Sequence, residues 1–300
     1  MTDAIAHVTV GVTDLGPVLD LWQGTFGMEV AARRDGPDAG LAELWDISPE
    51  RVEAQVLLRS PGTRAGGLHF VQFARPDAPV REGAGSMDLG PKNLDVYCDD
   101  IRARVAALEA DGWTFRSRVI DYNVGDIQAS EVQMPGPDET NIVFVEVAGQ
   151  SMPVSPKGYC GITSFVVIVP DIDAEAAFYK DVFGFEEILR HRITGEGIEE
   201  IVNLPSSTGV EMSVLGREHE RFGRVELIQY DNSPGRDRFG LAKAPARGSL
   251  HCAFRVASVM DVLDASSGDS RRVDDIETLF SSGPIGILTT PAGLRVEVFE

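Results

Sequence analysis

The sequence predicts an α+β protein in which one strand–helix–strand plan recurs, and three observations support this prediction. The first is an internal repeat: residues 5–30 reappear 157 positions further on, so that Val10 and Asp14 correspond to Val167 and Asp171. The second is the alternation of apolar with small or polar residues before each aspartate, which is typical of a half-buried strand. The third is the helical spacing of apolar residues after each aspartate.

The first unit, Ile5–Val30, contains each of these signals. Asp14 is a candidate N-cap, because its carboxylate can accept the free amide hydrogens of the first helical turn. Gly27 is placed to end the helix as a C′ glycine does. The predicted helix carries apolar residues at Leu15, Val18, Leu19 and Trp22. Residues 41–60 follow with strand-like pieces that Ser48-Pro49 interrupts.

The rest of the chain divides into four modules in two halves. A Gly- and Pro-rich loop at 74–92 separates the first two modules, and 150–158 is the clearest linker. We therefore predict an N-terminal domain at 1–149 and a C-terminal domain at 159–300. The four βαβββ-like modules are predicted at 5–75, 91–148, 160–232 and 249–300. Trp22 and Tyr179, which are equivalent in the repeat, are predicted to be core residues.

Composition limits the possible partners and the cellular location. The chain has 300 residues and a formal net charge of −20, which disfavours nucleic acid and anionic membrane surfaces as partners. Neither a signal peptide nor an apolar run of membrane-spanning length is visible. Its three cysteines have no paired spacing, which is typical of buried thiols in a reducing compartment. We therefore expect a cytoplasmic protein.

The layout resembles the vicinal oxygen chelate superfamily, which includes glyoxalase I, bleomycin resistance proteins and extradiol dioxygenases. The resemblance is carried by the strand-to-aspartate-to-helix openings, by FYKDVFGFEE at 178–187 and by TPAGLRVEVFE at 290–300. It covers nearly the whole chain. It implies two glyoxalase-like domains whose mixed sheets curve into cups around a metal ion.

The resemblance also implies two ligand positions in each module, one on its first strand and one on its last. The first-strand positions are His7, Asn93, Ser164 and His251. The last-strand positions are His69, Val143, Glu226 and Glu297. Three of the five histidines in the chain therefore fall on ligand positions.

The sequence leaves open which modules share a cup. Pairing across the two halves would bring His7, His69, His251 and Glu297 together and leave a vestigial second cup. Pairing within each half would instead give an alternative ligand set of Glu226, His251 and Glu297. We favour the crossed pairing because it produces one complete site.

The resemblance implies a lyase or isomerase that uses one divalent ion, namely Fe, Ni, Co, Zn or Mn. A small substrate would bind the ion through two neighbouring oxygens, and the ion would stabilise an enolate-like oxyanion. Glu297 would both bind the ion and exchange a proton. The expected assembly is a monomer or a homodimer.

Two other functions remain open. An Fe(II) ring-cleavage dioxygenase would use His7, His251 and Glu297 as its facial triad, although Ile287 stands where the extradiol pattern has tyrosine. A non-catalytic protein that binds a small molecule would need no metal. His191 is expected to lie on the surface or in a loop, as is His219.

Overall fold

The computed structural model describes residues 4–205, 207–231 and 235–300, apart from the side chains of 196–198. In these ranges the chain forms two eight-stranded sheets and six short α-helices. The predicted α+β class and the glyoxalase-like cup architecture are confirmed.

The first sheet combines the first and fourth modules. From edge to edge its strands are β14 (Ser270–Glu277), β15 (Ser282–Thr289), β16 (Arg295–Phe299), β13 (Gly248–Arg255), β1 (Ile5–Val12), β4 (Gly67–Phe73), β3 (Val52–Arg59) and β2 (Glu29–Asp35).

The second sheet combines the second and third modules on the same plan. From edge to edge its strands are β10 (Glu186–Ile193), β11 (Val210–Gly216), β12 (Arg224–Tyr230), β9 (Tyr159–Ile168), β5 (Gly90–Cys98), β8 (Asn141–Val147), β7 (Ile127–Pro135) and β6 (Ile120–Val124).

Within each sheet, the two modules join through an antiparallel pair of their first strands. In the first sheet β1 pairs with β13, with Thr9 opposite His251. In the second sheet β5 pairs with β9, with Asp95 opposite Ser164. The crossed pairing of modules is therefore confirmed. Since each sheet takes strands from both halves, the division of the chain at 150–158 stays a prediction.

The main helices of the first three modules begin after an aspartate, as predicted, whereas that of the fourth begins after Ser258 and two further helices were not predicted. The helices are α1 (Leu15–Leu19), α2 (Ala39–Trp45), α3 (Ile101–Ala110), α4 (Ile172–Phe183), α5 (Glu196–Val202) and α6 (Val259–Ala265), and a π-helical turn at Asp20–Thr25 extends α1. Asp14 caps α1 by accepting from the Gly16 amide. The strand-like interpretation of residues 41–45 was wrong: Asp38 caps a helix there by accepting from the Leu41 amide.

The main helix of each module is anchored in an equivalent way. In the first and third modules, Gln72 and Gln229 accept hydrogen bonds from the first helical amides, Leu15 N and Ile172 N. In the other two, Glu146 accepts from Ile101 N and Glu300 from Val259 N. A polar side chain on or just after the last strand of each module thus satisfies a donor that the helix leaves free.

Apolar side chains pack on both sides of the first sheet. Trp22 and Tyr179 are confirmed as core residues of the large cluster that holds the helices against the sheets. A separate cluster, which includes Leu41, Trp45 and Phe280, fills the concave face of the first sheet. Helix α2 therefore closes this cup.

Candidate metal centre

Four adjacent strands of the first sheet bring the four predicted ligands to its concave face. His7 lies on β1, His69 on β4, His251 on β13 and Glu297 on β16. Strand alternation directs neighbouring residues such as Val8, Phe70 and Val298 to the opposite face. All four are buried, with exposed fractions of 0–2%.

Glu297 is held in place through one of its two oxygens. The indole Nε1 of Trp45 donates to Glu297 Oε1 over 2.6 Å, and His251 Nε2 lies 3.0 Å from the same oxygen. Trp45 belongs to the closing helix α2, so this hydrogen bond joins that helix to the centre of the sheet. Glu297 Oε2 has no hydrogen-bond partner among the described residues.

His69 is held by a chain of hydrogen bonds that defines its tautomer. Gln55 Nε2 donates to Asp38 Oδ2 over 2.5 Å, so Gln55 Oε1 faces His69 Nε2 at 2.9 Å as an acceptor. His69 must then carry its proton on Nε2, which leaves Nδ1 with a free lone pair. Arg34 completes the chain by pairing with Asp38.

Each predicted ligand therefore offers one buried atom that the rest of the site does not satisfy. Within the described part of the chain, no well-aligned hydrogen bond reaches His7 Nε2, His69 Nδ1, His251 Nε2 or Glu297 Oε2, although His251 Nε2 lies 3.0 Å from the other oxygen of Glu297. Buried polar atoms are normally paired, because an unpaired one costs roughly 1–3 kcal/mol. Four such atoms on one concave face are what a binding site for a cation requires.

The protonation states of these groups also fit a cation. Burial, with the neighbouring His69 and His251, lowers the pKa of His7 well below its ordinary value. Burial lowers the pKa of His69 to about 4, although Glu297 opposes the shift. Burial alone would raise the pKa of Glu297, but His251 and Trp45 bring it below its ordinary value. At neutral pH the His7 and His69 rings are neutral and Glu297 is ionised, as metal ligation requires.

The side chains are close together but do not form a ready coordination shell. The rings of His7 and His69 have centroids 5.5 Å apart, and the Phe280 ring lies 4.5 Å from that of His7. Across the described ranges, no group of three or more His, Cys, Asp or Glu side chains is arranged to hold a metal ion. The donor types and their free atoms fit an ion, and the side chains would have to converge by rotation to bind it.

The second sheet holds the other predicted positions. Asn93 and Glu226 line a cavity on its concave face, and Val143 and Ser164 lie buried on β8 and β9. The within-half alternative was wrong, because Glu226 lies in the second sheet and His251 in the first.

The second cup is more polar than the vestigial site that we predicted. Asp95 and Glu131 lie beside Glu226, and sequence analysis missed both. Burial and the charges of Glu226 and Glu131 raise the pKa of Asp95 well above its ordinary value. Burial and Glu131 raise the pKa of Glu226 to about 7.

Of the remaining histidines, His219 lies on the surface as predicted, whereas His191 lies on a strand. His191 is half-buried on β10 and faces the Gly125 amide, and His219 is exposed in a turn. None of the helices within the described ranges has the length and apolar character needed to cross a membrane.

Comparison with known proteins gave one family and a set of similar folds. Residues 161–298 match the model of the Glyoxalase/Bleomycin resistance protein/Dioxygenase superfamily. A search of curated proteins gave no significant match.

Glyoxalase I from Zea mays superposes with a TM-score of 0.68 at 13% identity, covering 99% of this chain and 92% of that one. A putative dioxygenase from Bacillus subtilis superposes with a TM-score of 0.63 at 14% identity, covering 99% and 84%. At these identities the likeness concerns the fold alone.

Proposed function

We propose that the chain, whose residues 161–298 match the Glyoxalase/Bleomycin resistance protein/Dioxygenase superfamily model, is a metal-dependent lyase or isomerase. We assign its centre to His7, His69, His251 and Glu297. The observation that supports the proposal is that these four buried side chains lie on one concave face, each with an atom that lacks a well-aligned hydrogen bond.

Three imidazoles and one carboxylate are ligands that Fe, Ni, Co, Zn and Mn accept in the divalent state. A bound ion would supply Lewis-acid stabilisation of an oxyanion that forms on a small substrate with two neighbouring oxygens. Trp45 and Gln55 are the groups that orient the ligands, because they hold Glu297 and His69 through the atoms not needed for binding.

Glu297 is the residue that we propose as the proton carrier. Its Oε1 is fixed by Trp45, while Oε2 is free to face the ion or to accept a proton from a carbon next to a carbonyl. The apolar cluster around it excludes water, which strengthens electrostatic interactions at the centre. Because helix α2 closes the cup, substrate entry requires α2 to move.

Metal content tests the proposal. Purified wild type should contain about one divalent ion per chain by elemental mass spectrometry, His7→Ala should lose it, and Glu226→Ala should keep it. Circular dichroism would check that both variants are folded. Retention of the ion by His7→Ala, or its loss from Glu226→Ala alone, would contradict the assignment of the metal centre to the first sheet. A wild type that holds no metal even after reconstitution would favour a non-catalytic binding protein.

An Fe(II) ring-cleavage dioxygenase is the second candidate. His7, His251 and Glu297 lie on three adjacent strands. His69 lies on the next strand, and its Nε2 forms a hydrogen bond with Gln55. These three residues alone would form a facial triad. Oxygen uptake with a catechol after Fe(II) reconstitution, retained in His69→Ala, would favour this function over the lyase or isomerase.

We also propose that the protein works in the cytoplasm as a monomer or homodimer. Its three cysteines are free and buried, which suits a reducing compartment.

A further inference from the structure

The second cup contains a cavity that the proposed metal centre does not use. Its volume is about 60 Å³, and it lies between the concave face of the second sheet and helix α5. One wall is aliphatic and includes Val166, Met212 and Ile228. The opposite concave face of the first sheet is filled by apolar side chains instead.

The polar wall of this cavity carries three carboxyl groups. Asp95 projects from β5, Glu131 from β7 and Glu226 from β12, and Tyr122 donates a hydrogen bond to Glu131 Oε2 over 2.7 Å. The positive group that faces them is Lys92, whose Nζ donates to Tyr230 Oη over 2.9 Å. Among the described lining residues, the three acidic groups outnumber this one cation, and their crowding and burial raise the pKa of Asp95 and of Glu226 because no further cation is there to favour the ionised forms.

Asp95 marks a place in this cavity for a hydrogen-bond donor. Its side chain is only 7% exposed, and Asp95 Oδ1 meets no hydrogen-bond partner in the parts of the chain that are described. In its ionised form this group accepts hydrogen bonds only, so the partner that would favour ionisation is a donor. A cationic donor satisfies both the free oxygen and the excess negative charge.

A second cavity of opposite charge adjoins the first. Its volume is about 300 Å³, and its lining includes Arg81, Arg116 and one carboxylate, Glu139. Lys92 and Gln133 line both cavities, so the two share a wall. Since Lys92 is shared with the inner cavity, the outer one adds two guanidinium groups against Glu139, and this excess of positive charge attracts an anion in a chain whose net charge is −20.

We propose that the second cup binds a small zwitterion that carries an ammonium group and a carboxylate. The ammonium lies against Asp95 and Glu131 in the inner cavity, and the carboxylate lies against Arg81 and Arg116 in the outer one. The aliphatic wall packs against the carbon chain between them. This site is independent of the metal centre, because it lies in the other sheet.

Calorimetric titration with matched probes tests the proposal. The probes are the unbranched ω-amino acids from glycine to 6-aminohexanoate, together with n-butylamine, butyrate and butan-1-ol. At least one amino acid should bind about 10-fold more tightly than butylamine or butyrate, because it forms charge-assisted hydrogen bonds at both ends.

Variants of the residues that contact the ammonium or the carboxylate should separate the contributions of these two groups to binding. Asp95→Asn and Glu131→Gln should weaken the amino acid and butylamine by about 10-fold and leave butyrate unchanged. Arg81→Gln and Arg116→Gln should weaken the amino acid and butyrate and leave butylamine unchanged. Both ends have two variants, so a single folding defect does not decide the result.

Exposed residues supply the controls, since Glu82→Gln and Arg64→Gln change the same charges outside the cup. Binding of no amino acid, or equal losses in the controls, would overturn the proposal. Binding of butyrate alone would overturn it in favour of a simple anion site. These outcomes are distinct from failure of the metal centre, because His7→Ala should leave the titrations unchanged.

Discussion

The two concave faces share one backbone plan and have opposite chemistry. Each sheet is centred on an antiparallel pair of first strands, β1–β13 or β5–β9, flanked by the last strand of each module. The first face carries three imidazoles and a carboxylate under a closed apolar cover. The second face carries carboxyl groups around a cavity. The frame is thus independent of the residues that face inward.

The strand alternation explains this independence. Along the central strands of each sheet, residues that pack against the helices occupy one face, and the inward residues occupy the other. Substitution of an inward residue leaves the outward packing unchanged. Repeated modules can therefore keep a common frame while one cup gains ligands and the other loses them.

The largest difference that we expect between the cups is the response of stability to pH. The pKa of Glu226 rises from 4.5 to about 7 on folding, so between these values the folded chain keeps a proton that the unfolded chain has lost. Ionisation of Glu226 should therefore lower the free energy of unfolding by about 3 kcal/mol as pH rises through this window, within a larger fall to which buried Glu175 contributes with the same sign. Urea unfolding at pH 5 and pH 8 measures the change.

The variant Glu226→Gln is the control for that measurement. It should be more stable than wild type at pH 8 and change little at pH 5, because the amide cannot ionise. In the first cup the pH dependence of stability has the opposite sign. The pKa of His69 falls from 6.5 to about 4 on folding, so its contribution to stability is lost as pH decreases through this range. A variant with the wild-type pH dependence would contradict the assignment to Glu226.

The next effect concerns the group that orients Glu297. Trp45→Phe keeps the apolar packing of α2 but removes the hydrogen bond to Glu297 Oε1. Affinity for the divalent ion should fall by about 10-fold, because such supporting hydrogen bonds position ligands. Competition with a chromophoric chelator measures the affinity.

Trp113→Phe is a matched control for Trp45→Phe, since Trp113 packs against the main core. It should leave metal affinity unchanged. Equal losses in the two variants would indicate general destabilisation, and they would remove Trp45 from the proposed centre.

The local signals predicted most of the frame. Asp14, Asp38, Asp100 and Asp171 all cap helices, because an N-cap acts through amides only two or three residues away. Helix α2 was missed although Asp38 precedes a helical pattern in Leu41, Leu44 and Trp45. The following Ser48-Pro49 suggested interrupted strands.

Which side chains meet inside each cup depends on strand pairing between distant parts of the chain, and no local sequence pattern predicts that pairing. Trp45 meets Glu297 across 252 positions of sequence, and no spacing rule connects them. Asp95 could have been predicted from the sequence, because it follows Asn93 by two residues on one strand and alternation directs both side chains to the same face. Asp95 is not among the ligand positions that the family resemblance implies.

The smallest expected effect tests whether the two sheets really are equivalent outside their concave faces. Gln72→Ala and Gln229→Ala each remove the acceptor for a first helical amide, Leu15 N or Ile172 N. Each loss should cost about 1 kcal/mol, as loss of an N-terminal cap does. Urea unfolding at pH 8 should give similar costs for both variants, because the two hydrogen bonds occupy equivalent positions of the repeat. A difference above about 1 kcal/mol would show that the frame also differs between the sheets, since deletions of equivalent caps should match to within that range.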